Sequence, residues 1–226
     1  MRASRLLFLQ IVHFIQDVAL WLAYPVGINS ESTYRTSPMR RIIMLIHVSL
    51  DGFTATPDGG LEWITYTKEL EQYAHSLHAT TDAAIYGRVT YEGMKSYWPT
   101  VLTDPDSDEA ARSHARWADA ATKIVISKTL TESDWVNTVF IGENIAEEIN
   151  KLKAQEGKDI WLLGSPSIAR LFIELNLVDE YRININPLLL GGGVPLFGLL
   201  EDSRPLKLLE ARALEGGVVA LRYEPV

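Results

Sequence analysis

The run Arg41-Ile42-Ile43-Met44-Leu45-Ile46-His47-Val48-Ser49, followed at once by Leu50-Asp51-Gly52, decides the fold class. It is short, almost wholly apolar and rich in β-branched residues. Such a segment reads as a strand covered on both faces, as in a parallel sheet, because a half-exposed strand would alternate with polar residues. The strand ends at Asp51-Gly52, and Thr56-Pro57-Asp58-Gly59-Gly60 adds strong turn chemistry. Residues 50–60 are therefore expected to form a mobile loop at the carboxyl end of the strand.

Downstream, short strands alternate with helical spacing. Tyr66–His78 places Leu70, Tyr73, Ala74 and Leu77 on one side and predicts a helix. Asp82–Tyr86 predicts a second strand running into Gly87, and Tyr91–Tyr97 a helix stopped by Trp98-Pro99. Residues 100–120 read as an acidic loop and a short helix. Strands are expected at Lys123–Ser127, Val136–Ile141 and Asp159–Leu163, with an amphipathic helix over Asn144–Gln155 closed by Gly157. A helix over Pro166–Leu175, a strand over Asp179–Asn186, and a closing pair at Leu206–Ala213 and Val218–Tyr223 complete the pattern. The expected fold is an α/β domain with a mainly parallel mixed sheet, flanking helices and antiparallel C-terminal strands.

With 226 residues and 47% hydrophobic content, the chain can bury a substantial core. It has no cysteine, which excludes disulfides, thiolate metal sites and cysteine nucleophiles and leaves redox chemistry to a bound organic cofactor. The formal net charge of −8, without a basic run, argues against nucleic-acid and membrane partners and fits a cytoplasmic protein acting on a small molecule. Residues 1–38 differ from the rest. Leu6 to Ile28 is apolar but interrupted by Gln10, His13, Gln16 and Asp17, so no membrane span is expected. Met39 stands directly before the first strand; residues 1–38 read as an N-terminal extension or upstream mis-start, and residues 39–226 as the domain.

In a doubly wound sheet, ligands bind at the carboxyl ends of the strands. Three of those positions share a chemistry: Gly87-Arg88-Val89-Thr90, Ser127-Lys128-Thr129 and Gly164-Ser165-Pro166-Ser167. Each offers close backbone approach, a hydroxyl or a cation where a phosphate could sit. Ser165 before Pro166 reads either as a plain capped helix start or as a helix N-terminus holding a pyrophosphate. Leu188 to Gly193 is glycine-dense and reads equally as a sharp turn or a close approach to ligand. For acid–base work the candidates are Asp51, at the ligand-binding edge, and Glu62, beside Leu61, Trp63 and Ile64; each has a structural alternative, a turn anchor and a solvated helix-start acid. His75 and His78 share a helix face, but with no further ligand in reach no metal site is expected.

Together Ser49-Leu50-Asp51-Gly52-Phe53-x-Ala55, Gly87-Arg88-x-Thr90-Tyr91-Glu92, Tyr97-Trp98-Pro99, Ser127-Lys128-Thr129-Leu130, Gly164-Ser165, Leu177-Val178-Asp179-Glu180-Tyr181 and Pro187-x-Leu189-Leu190-Gly191-Gly192-Gly193 resemble the dihydrofolate reductase-like family. The branch they resemble is the stand-alone relatives of the reductase domain of the bifunctional riboflavin-synthesis deaminase/reductase. The resemblance runs from about Arg41 to Tyr223. It implies an NADPH cofactor, with Gly87, Arg88 and Thr90 on its phosphates, Ser127, Lys128 and Thr129 around the 2′-phosphate, Gly164-Ser165 at the pyrophosphate, and Val48 and Ala55 beside the nicotinamide. It also implies that residues 50–60 form a lid and that the protein is a homodimer. Two departures stand out. A chain without cysteine cannot carry the zinc motif of the deaminase, and Gly93 to Asp108 reads GMKSYWPTVLTDPDSD where the riboflavin reductases have an Asp-x-Pro-x-Leu-like stretch.

The expected activity is NADPH-dependent hydride transfer to a small heterocyclic or ribosylamino-pyrimidine substrate, closest in kind to 5-amino-6-(5-phosphoribosylamino)uracil reductase. Dihydrofolate or dihydropterin reduction is the alternative within enzymes, and a non-catalytic NADPH-binding protein the alternative outside them.

Overall fold

In a computed structural model, which describes residues 39–198 and 203–226, the opening run forms β1 (Ile42–Ser49). Both of its faces are covered. Ile42, Met44, Ile46 and Val48 enter one core cluster, whereas Ile43 and Leu45 enter another on the opposite face. That two-sided burial is why the run lacks polar alternation. Among the described residues the strands are β1, β2 (Phe53–Ala55), β3 (Thr81–Gly87), β4 (Thr122–Ile126), β5 (Thr138–Ile141), β6 (Asp159–Leu163), β7 (Glu180–Asn186), β8 (Val194–Pro195), β9 (Leu206–Ala213) and β10 (Val219–Pro225). The α-helices among the described residues are α1 (Lys68–His75), α2 (Arg88–Val101), α3 (Glu109–Ala120), α4 (Ile145–Lys153) and α5 (Pro166–Glu174).

Eight strands make one sheet in the order β5-β4-β3-β6-β1-β7-β10-β9, and β2 pairs with β8 in a small second sheet. β5, β4, β3, β6, β1 and β7 pair in parallel, and β10 pairs antiparallel with both β7 and β9. The carboxyl ends of six parallel strands thus meet along one edge. One face carries the cluster of Ile85, Ile124 and Leu162 with Ile149 of α4 and Ile168 and Phe172 of α5. On the other, Leu70 and Tyr73 of α1 pack with Trp161, and Tyr91 and Ala118 pack with Tyr86 and Val125.

Several local expectations change. The helix expected to stop at Trp98-Pro99 continues through Pro99 to Val101. Proline removes one amide but keeps a helical φ, and the last turn is held by tertiary packing: Trp98 lies 4.1 Å from the ring of His114, and Val101 is buried. Gly157 does not cap α4, whose C-cap is Ala154; Gly157 sits three residues on at φ +149, packed against Arg40 and Asp82. The helix over Tyr66–His78 is shorter, starting after the Thr67 N-cap and ending in a 3₁₀ turn over Ser76–Ala79. The loop expected over residues 50–60 contains β2, joined to the glycine-dense segment through β8. Pro38–Val226 forms one compact unit, and the expectations for the extension lie outside the described residues.

Candidate functional site

The carboxyl edge of the sheet gathers the segments that the sequence singles out. Gly87 ends β3 and Ser165 precedes α5, and the fold puts them in contact: a Cβ on Gly87 would collide with Ser165 Oγ and touch Ile168 Cγ1 at 3.0 Å. The glycine is needed for that approach. Gly164, at φ +50, has open space where a side chain would be. Ser165 holds the N-cap position but makes no side-chain cap hydrogen bond; its hydroxyl is buried toward Gly87. The first amides of α5 are thereby left without a side-chain acceptor, the arrangement that suits an anion.

Arg88 and Thr90 lie in the first turn of α2, where exposed Arg88 pairs with Glu92 at 2.9 Å. Ser127 follows β4, and its Oγ accepts from the amides of Thr129 (3.2 Å) and Leu130 (2.9 Å), leaving Lys128 and Thr129 exposed. Lys128 lines an open cleft of about 670 Å³ with Gly142, Asn144 and Leu175, and Glu143 and Glu147 line it as well. Asn144 is the N-cap of α4 at φ 49 and also makes no side-chain cap hydrogen bond. Val48 and Ala55 are both buried, the first in the core face of β1 and the second in β2.

Asp51 is fully engaged. Its carboxylate accepts from Ser49 Oγ (2.6 Å), from the Leu190 amide (3.1 Å) and from the Gly191 amide (2.7 Å). These bonds, the Ser49 hydroxyl foremost, hold its pKa below the usual carboxylate range. The arrangement agrees with the turn-anchor reading of Asp51: it ties the strand end to the glycine-dense segment. Gly191 stands at φ +72 and Gly193 at φ +144, where a Cβ would overlap the Ala55 carbonyl oxygen. Glu62 is exposed on the connection between β2 and α1.

Sequence reasoning missed a polar group at the same edge. Asn184 and Asn186 of β7 are fully buried, and His47 is the register neighbour of Asn184 on β1. Asn186 accepts from the Thr65 amide at 3.0 Å and donates to the Val48 and Asn184 carbonyls. His47 Nδ1 and both side-chain polar atoms of Asn184 have no hydrogen-bond partner. Burial pushes the His47 imidazole down to about 4. The alternation Ile183-Asn184-Ile185-Asn186 was the available signal. Asparagine is unusual inside a covered strand and a buried orphan amide more so.

A second imidazole group lies elsewhere. His75 and His78 are joined by His114 of α3, which the sequence reading did not bring into reach. Burial lowers all three, His78 to about 4 and His114 to about 3, with mutual repulsion adding to the effect at the latter two.

The mainly parallel sheet with antiparallel C-terminal strands and glycine–hydroxyl turns along its carboxyl edge is of the dihydrofolate reductase-like type. The chain belongs to the RibD C-terminal domain family, whose model matches residues 40–220. It is 37% identical over 184 residues to the protein YyaP of Bacillus subtilis (strain 168), which is itself uncharacterized, covering 81% of this chain and 94% of that one. A structure of a protein assigned to riboflavin biosynthesis in Shewanella sp. PV-4 is similar at a TM-score of 0.65 and 24% identity, covering 82% of this chain and 99% of that one. The deaminase/5-amino-6-(5-phosphoribosylamino)uracil reductase of Thermotoga maritima is similar at a TM-score of 0.60 and 14% identity, covering 83% of this chain and 57% of that longer one.

Proposed function

We propose that the chain is an NADPH-dependent reductase of a small heterocyclic or ribosylamino-pyrimidine substrate, of the riboflavin-biosynthesis type. The observation that carries this reading is the joining of Gly87 to Gly164-Ser165 beneath the uncapped start of α5. Backbone without side chains, free amides and the positive end of a helix dipole together fit a pyrophosphate. The cofactor would supply a hydride. Arg88 would leave its exposed pairing with Glu92 for a cofactor phosphate, since such surface pairs are worth under about 1 kcal/mol. Lys128 and Thr129 would face the 2′-phosphate, with Glu143 and Glu147 setting a limit on how much negative charge the cleft accepts. Val48 and Ala55 keep the strand edge apolar beside the reacting ring, and the loop over residues 50–60 would exclude water.

Asp51 positions that loop and is a weak proton donor because its ionised form is stabilised. Glu62, exposed in the structure, or water would deliver the proton after closure. The protein would act as a cytoplasmic homodimer.

Fluorescence titration with NADPH and NADH tests the cofactor. Wild type should prefer NADPH; Lys128→Ala should weaken NADPH roughly tenfold while changing NADH much less, and Arg88→Ala should weaken NADPH by a similar factor. Equal affinity of the wild type for both cofactors refutes the assignment. Turnover is then assayed with pyrimidines against dihydropterins; reduction of dihydropterins alone would transfer the chain to the alternative activity.

A further inference from the structure

We propose that His75, His78 and His114 bind one divalent transition-metal ion of the zinc type, which clamps α1 to α3. The site is remote from the candidate active site. His75 ends α1 and His78 lies in the 3₁₀ turn that leads into Thr81 at the amino end of β3, whereas Gly87 at the carboxyl end of that strand belongs to the cofactor cradle.

The three imidazoles each present a ring nitrogen, and these nitrogens all lie within 4.8 Å of one another. Three nitrogens bound at about 2.05 Å around a tetrahedral ion lie about 3.4 Å apart, so modest side-chain rotations convert the present arrangement into a ligand set. One pair is already closer: His78 Nε2 and His114 Nδ1 share a hydrogen bond at 2.9 Å. Among the described residues no other hydrogen bond reaches these three rings. Coordination would exchange that single bond for three metal–nitrogen bonds.

The surroundings favour a cation. His114 is 7% exposed, whereas His75 and His78 are half-buried and partly open to solvent. Among the described residues no lysine or arginine acts on these rings, whereas the carboxylates of Glu71 and Asp108 act on His75. Trp98, Trp117 and Trp161 wall the cluster, with ring centroids 4.1–5.9 Å from the nearest imidazole, and the Trp117 indole is fixed by donating to the Thr81 carbonyl at 3.1 Å. An all-imidazole donor set selects a borderline ion such as Zn²⁺ over Mg²⁺ or Ca²⁺, which prefer oxygen.

The experiment uses the full chain without an affinity tag, stripped with a chelator. Zinc chloride is titrated calorimetrically, and cobalt chloride is added separately as a spectroscopic substitute. We expect one equivalent of Zn²⁺, a higher melting temperature with zinc, and the intense visible bands of four-coordinate Co²⁺. His75→Gln and His78→Gln should each weaken Zn²⁺ binding roughly 100-fold, with the far-ultraviolet dichroism unchanged. Binding of equal strength in these variants, or a cobalt spectrum identical to that of the aqueous ion, overturns the proposal and makes the cluster a packed aromatic group. The cobalt spectrum of the wild type decides the matter even where a variant fails to fold.

Discussion

The carboxylate of Asp51 stands at the carboxyl edge of the sheet and holds the backbone there. Three hydrogen bonds to its ionised form anchor Leu190 and Gly191 to the end of β1. Asp51→Asn keeps the size but gives up the charge and one acceptor oxygen. We expect a higher KM and faster proteolysis at residues 50–60, with the pH profile of kcat unchanged in shape; disappearance of an ionisation limb would make Asp51 the proton donor. His47 makes a different prediction. Its folded pKa, about 4, lies below the ordinary 6.5, so the unfolded chain takes up a proton that the folded chain refuses. Its contribution to stability is full above pH 6.5, falls as the pH drops through the interval from 6.5 to 4, and is constant below it. The loss is on the order of 3 kcal/mol. Urea unfolding of wild type and His47→Gln across that interval should give a flatter dependence in the variant; parallel curves would show that His47 titrates normally when folded.

The pairing of β2 with β8, within the proposed lid, depends on Gly193. That residue lies at φ +144 with no room for a Cβ beside the Ala55 carbonyl. Gly193→Ala must shift the strand or break the pairing, at a cost of roughly 1–3 kcal/mol. The expected outcome is a lowered melting temperature and faster amide exchange at Phe53 to Ala55, with protection in β1 and β6 preserved. Unchanged exchange would mean that β8 is free to move aside. The turn before α5 shows the same dependence on backbone: Gly87 lacks a side chain so that Ser165 can approach, and Ser165 turns its hydroxyl there instead of capping the helix.

For the molecule as a whole, the family match spans residues 40–220 and Pro38–Val226 forms a compact unit. A chain of residues 39–226 is therefore expected to fold with a melting temperature within about 2 °C of the full chain and to bind NADPH equally well, as differential scanning fluorimetry and titration would show; a shift of that size corresponds to less than about 1 kcal/mol. A drop well beyond that would mean that residues 1–38 contribute to the stability of the domain. The strand order brings together segments far apart in the chain, since β6 lies between β3 and β1, and β7 on the other side of β1. By itself the sequence determined what local chemistry determines. Two-sided apolar runs gave parallel strands, as in Ile42–Ser49, and glycine–hydroxyl turns marked their carboxyl ends, because burial and φ preferences act over a few residues. Only the tertiary structure decided what depends on neighbours distant in sequence. Leu190 and Gly191 occupy the carboxylate of Asp51, Trp98 packing carries α2 past Pro99, Asn184 is buried without a partner, and His114 comes to within ligand distance of His75 and His78. No window of sequence holds those pairs, for their proximity is set by sheet order and helix packing.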